Sequence, residues 1–117
     1  MPNPIDNAFM HALEDQNAAM RRAGVRGTDA RSMAKFHERH RAGNLVASLV
    51  AAISEYDSSR AKPHRQMAIA RTMKAGFCPW EEMLLDKTAP WAQVVTPRCR
   101  RACRQILKDS SAYIPYV

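Results

Sequence analysis

The run Asn44-Leu-Val-Ala-Ser-Leu-Val-Ala-Ala-Ile-Ser-Glu-Tyr56 constrains the fold more than any other stretch, because Ser48 is the only polar residue between Leu45 and Ile53. A helix on the surface of a globule keeps one charged face, and this one has none. The run therefore predicts a helix over about 44–56 that is shielded from water on every side, by its neighbours or by a second copy of the chain. Asn44 is placed to cap it, since a short side-chain oxygen can accept from an unpaired amide of the first turn. The nine residues from Leu45 to Ile53 are too few to cross a bilayer, which takes about 20 apolar residues.

The flanking sequence has helical period throughout and no alternating strand pattern. Asn3-Pro4 reads as a cap followed by a first-turn proline. Ile5, Phe9, Ala12, Leu13, Gln16 and Met20 then share one stripe. Asp6 in the first turn and Arg21-Arg22 in the last complement the helix dipole. Gly24 ends the element, and Val25 can fold back on its last turn. A turn over 27–29 leads to a second helix, Ala30 to about Ala42, with a thin apolar face of Ala30, Met33, Ala34 and His37 and with Phe36 to one side. Residues 57–63 are loop by composition. His64 to Ala75 forms a helix stopped by Gly76, with Phe77 packing back. Cys78-Pro79-Trp80-Glu81-Glu82 starts a short helix whose two acids suit its positive end. Thr96-Pro97 repeats the cap-and-proline start. The last helix, about Arg98 to Lys108, sets Cys99, Ala102, Cys103, Ile106 and Leu107 on one side and its basic residues on the other. The predicted fold class is all-α: an irregular orthogonal bundle of five or six helices around the central apolar helix, possible as a homodimer. Residues 1–109 form its single domain, and 110–117 form a non-helical tail.

Charge narrows the partners. The net charge is +7, and residues 21–75 hold twelve Lys or Arg against four acids. A basic middle and end suit an acidic protein or a nucleic acid. The three cysteines are an odd number, and the amino terminus has neither a basic start nor an apolar run, so reduced thiols in a cytoplasm are expected, with no membrane association.

Catalytic chemistry finds no foothold. His37 with His40, and Cys99 with Cys103, have spacings from which a four-ligand zinc site can be drawn. The cysteines, however, lie in an apolar stripe, where they act as small hydrophobes, and the histidines lie among bases. No metal and no cofactor is expected. Cys78 lacks a nearby histidine, and its neighbouring acids oppose a thiolate. Adjacent Glu81 and Glu82 diverge on a helix. No nucleophile, base and oxyanion donor can be assembled, so no catalytic residue is assigned and the protein is expected not to be an enzyme. Tested as a helix-turn-helix, residues 68–87 fail, because Arg71 and Glu82 fall where apolar residues must pack.

What remains is binding. The sequence reads as a small regulatory protein of the inhibitor or anti-activator type, masking a dimerisation or ligand surface of another protein such as a transcription regulator. Trp80, Met83, Trp91, Tyr113 and Tyr116 are the candidate contacts for a partner with an acidic or apolar surface, and Arg100, Arg101 and Arg104 would steer an acidic one. The alternative is a nucleic-acid-binding accessory protein that contacts phosphates through Arg31, Lys35, Arg39, Arg41 and the Arg98–Arg104 face.

Overall fold

The first helix begins where the sequence says it must. Asn3 accepts from the backbone amides of Ile5 (2.9 Å) and Asp6 (3.4 Å), and Pro4 opens α1, Pro4–Arg22. At the other end Gly24 takes φ of 70°, which lets the Val25 amide donate back to Met20 O at 2.9 Å. The same device recurs at Gly76, with φ of 85° and the Phe77 amide on Thr72 O at 3.0 Å. A computed structural model describes residues 3–25, 30–40 and 43–116. The turn expected at 27–29 lies outside them, as do the side-chain placements expected for Ala30, Arg31, Met33, Ala34, Arg41 and Tyr116.

Five further helices follow: α2 (Ala30–Arg39), α3 (Leu45–Ser54), α4 (Pro63–Lys74), α5 (Trp80–Leu85) and α6 (Pro97–Ser111). Short 3-10 turns at Ser58–Arg60, Ala92–Val94 and Ile114–Tyr116 complete the described elements, none of which is a strand. The all-α bundle is thus as expected. Its hub is α6, which packs against α3, α4 and α5, while α3 meets α1 and α6. The reason is the α6 stripe: Cys99, Cys103 and Ile106 are all buried, and Thr96 caps the helix by accepting from the Cys99 amide at 3.1 Å. Helix α6 runs to Ser111, and the tail expected to be non-helical makes a 3-10 turn that lies against α4.

Two expectations for the second and third helices are corrected. On α2 it is Phe36 that packs on the core, whereas His37 is exposed. On α3, Leu45, Val46, Leu49, Val50 and Ile53 are buried, but Ala47, Ala51 and Ala52 are exposed. The helix is wrapped on one half only.

The core joins Phe9 and Leu13 of α1 to the apolar half of α3, to Ile69 of α4, and to Leu84 of α5. Trp91 closes it, edge-on to Phe9 with ring centroids 5.1 Å apart. Gln16 ties α1 to the α4–α5 link, accepting from the Cys78 amide at 3.0 Å and donating to the Cys78 carbonyl. Among the described residues no helix is long and apolar enough to cross a membrane.

Candidate functional site

The start of α3 is held from outside. Asn44 occupies the cap position, with φ of −135°, and makes no side-chain cap bond. Instead, the buried Asp6 carboxylate of α1 accepts from the amides of Leu45 and Val46, both at 2.9 Å. Asn3 adds a bond from Nδ2 to Gly43 O at 3.1 Å. The cap of α1 and an acid of its first turn thus fix where α3 begins, which determines the half of it that faces water.

That open half carries Ala47, Ala51 and Ala52, with Ser48 and Ser54 half-buried beside them. Small side chains leave the backbone cylinder close to the surface, so a facing helix or strand can approach nearer than over leucines. The sequence holds a signal for this that overall hydrophobicity conceals. The large residues of 45–53 fall on one half of the helical wheel, and the alanines and Ser48 fall on the other.

The open half is bordered by charge. Glu55, just past the end of α3, receives Arg98 Nη2 at 3.2 Å, an exposed pair that links α3 to the basic face of α6. Arg101 and Arg104 continue that face, exposed and without an ion-pair partner among the described residues. Arg100 differs. It is half-buried and donates from Nη2 to Ala92 O at 2.9 Å, with Nε buried and unpartnered. It braces the 3-10 turn at Ala92–Val94 and is not free to steer a partner.

The aromatic and methionine candidates are placed elsewhere than a contact surface requires. Trp80, Met83 and Trp91 are buried to within 6–7% of full exclusion. Trp91 Nε1 donates to Met83 O at 2.7 Å, so even its polar edge is used internally. Trp80 lies beneath the Arg65 guanidinium, 5.1 Å from its ring centroid. These three are core residues: Trp80 and Met83 join Leu84 on the buried side of α5, and Trp91 packs on Phe9. Tyr113 is half-buried at the end of α6. On α2, Lys35 and Arg39 are exposed.

The three cysteines and Glu81 are buried or half-buried. Burial, followed by the charges of Glu82, Asp86 and Glu81, pushes the Cys78 thiol up to about 12. Cys99 and Cys103 are fully buried with sulfurs 3.9 Å apart, and the hydrogen bond to Cys99 together with burial pushes the Cys103 thiol up. Among the described residues no three His, Cys, Asp or Glu come together as a metal site, so the histidine pair and the cysteine pair do not converge. Glu81 faces inward instead of capping its helix toward solvent. It is fully buried, Oε2 lies 3.4 Å from Arg65 Nη2, and Oε1 has no partner. Burial holds its carboxyl above the ordinary range, against the pull of Arg65.

Compared with known proteins, the chain gives no match to a family model, a curated protein or a solved structure.

Proposed function

We propose that the protein is a small non-catalytic regulator that acts by binding another protein, as an inhibitor or anti-activator that masks a dimerisation or ligand surface, for example of a transcription regulator. The observation that carries this reading is the open half of α3. Ala47, Ala51 and Ala52 present an apolar, low-relief face in a helix whose other half is the core. Arg101 and Arg104, exposed on α6 and without an ion-pair partner among the described residues, favour a partner with an acidic rim and raise its rate of encounter. A second copy of the chain is one occupant of that face, and a different protein is the other.

The test is nuclease-treated affinity capture from the native lysate with three baits: wild type, Ala51→Arg, and Arg101→Glu with Arg104→Glu. Ala51 is exposed, so its variant keeps the wild-type melting curve. A protein retained by wild type and lost with Ala51→Arg supports the reading, and light scattering tells a heteromeric from a self-associated complex. Equal retention by all three baits removes α3 from the interface. The nucleic-acid alternative has the same two arginines in its favour, and it predicts another pattern. Duplex or single-stranded probes would bind wild type and Ala51→Arg alike, with affinity falling steeply as salt rises.

A further inference from the structure

A cavity of about 250 Å³ opens between the end of α3, the start of α4 and the middle of α6. Ile69 and Ile106, both buried, form its apolar part with the ring of Tyr56. Its mouth carries Arg60, Lys62 and Arg65. Two acids also stand there, but each is engaged: Glu55 by Arg98 at 3.2 Å, and Asp57 by Arg60 at 3.8 Å and by the Ser59 amide at 2.9 Å. Lys62 has no side-chain partner among the described residues, and Arg65 spends only one nitrogen on Glu81. The amino end of α4 meets the same mouth with no cap bond from Lys62 and no acid in its first turn, so its dipole adds to the positive potential.

One polar group inside is also unspent. Tyr56 Oη lies 2.5 Å from Asp109 Oδ2, and hydrogen bonds from Tyr56 and Ser58 hold that carboxyl below the ordinary range, so Tyr56 must donate to it. Gln66 Nε2 then donates to Tyr56 Oη at 3.0 Å, which fixes the amide orientation and leaves Gln66 Oε1 as a free acceptor. Gln66 is 8% exposed and lines the cavity. Its carbonyl oxygen has no protein partner among the described residues and is open to the solvent of the cavity.

We propose that this cavity binds a small organic anion: an aromatic or branched apolar body that carries one carboxylate and one hydroxyl or N–H donor. The body covers Ile69, Ile106 and Tyr56, the carboxylate sits between Lys62 and Arg65, and the donor reaches Gln66 Oε1. The size selects fragments, because 250 Å³ falls below the roughly 300–1,000 Å³ that drug-sized ligands occupy. A neutral apolar molecule would leave Lys62 and the free nitrogens of Arg65 without a counter-charge, and a bare inorganic anion would leave the apolar wall wet.

The experiment is a titration of the full chain, isotope-labelled, followed by amide chemical shifts. The probes are 3-(4-hydroxyphenyl)propionate, its neutral amide, 3-phenylpropionate and acetate. The hydroxylated acid is expected to shift the amides of Tyr56, Gln66, Ile69 and Ile106 saturably, with Kd of about 0.1–1 mM. Its amide should bind roughly tenfold more weakly, and 3-phenylpropionate roughly threefold more weakly. Lys62→Ala should weaken the acid roughly threefold, and Ala61→Trp, which fills the mouth from a loop position, should abolish the shifts while the protein melts as wild type does. Any of three results overturns the proposal: no saturable shift at about 10 mM, equal binding of the neutral amide, or the same shifts with acetate alone. Undiminished binding by a folded Ala61→Trp variant overturns it as well.

Discussion

Asp6 and Glu81 are the two buried carboxylates among the described residues, and the fold treats them in opposite ways. Each lies in the first turn of its helix, where the sequence assigns it to its own helix dipole. Asp6 accepts two amides of a different helix, one on each oxygen. Glu81 has one ion pair, at 3.4 Å, and an oxygen with no hydrogen-bond partner on another of the described residues. The difference teaches that burial alone does not say whether a charge stabilises a fold. A carboxylate whose lone pairs are met by fixed backbone donors is a fastener, because it also relieves amides that would otherwise be orphaned. One that is merely buried near a long side chain is a liability that its neighbours must outweigh.

The sharpest way to extend the comparison is a third carboxylate with no partner at all. Leu49→Asp puts one at a position 3% exposed in the apolar half of α3. It should cost several kcal/mol, comparable with the roughly 5–15 kcal/mol that holds a whole domain, so the variant should be unfolded by circular dichroism at 25 °C. A soluble Leu49→Asp protein with a cooperative melt would break the description of the core. Next in size is Asp6→Ala, which orphans the Leu45 and Val46 amides. A loss of about 2–3 kcal/mol is expected in urea unfolding, with Asp6→Asn recovering part of it.

Glu81 should behave in the opposite sense. Because its folded pKa is raised, the folded state prefers the protonated form. Its contribution is therefore fully present below the ordinary glutamate pKa and is lost as pH rises through the raised folded value. Glu81→Gln should remove that decline. Stability relative to wild type should rise by about 1 kcal/mol near neutral pH and converge with wild type in acid, as read from melts across the pH range. A Glu81→Gln variant that is less stable than wild type at neutral pH would mean that Arg65 makes Glu81 a fastener too. The smallest effect belongs to the open half of α3, where Ala51→Arg should change stability by less than about 0.5 kcal/mol.

The parts of this fold that were legible in the sequence are those decided within a few residues of chain. Asn3 and Pro4, the glycine ends at Gly24 and Gly76, and the Thr96-Pro97 start all work through bonds that span five residues or fewer, so residue type carries the information. What was not legible depends on partners far along the chain. Asp6 meets α3 across a separation of about 40 residues, and nothing local distinguishes it from an ordinary dipole acid. Trp80 and Trp91 look like exposed anchors when read beside their prolines, and only tertiary packing buries them, Trp80 through the docking of α5 and Trp91 against Phe9 of α1. The α3 face is an intermediate case, since the size segregation of its residues is visible but average hydrophobicity hides it.

The Asp6 bond has one more consequence. By joining positions 6 and 45–46 it closes a ring of chain at its base, and everything between those points hangs from the clasp. Lengthening such a ring is cheap, at only about 0.6 kcal/mol for each doubling. The clasp thus ties the first turn of α3 to the first turn of α1, so that loosening either turn loosens both.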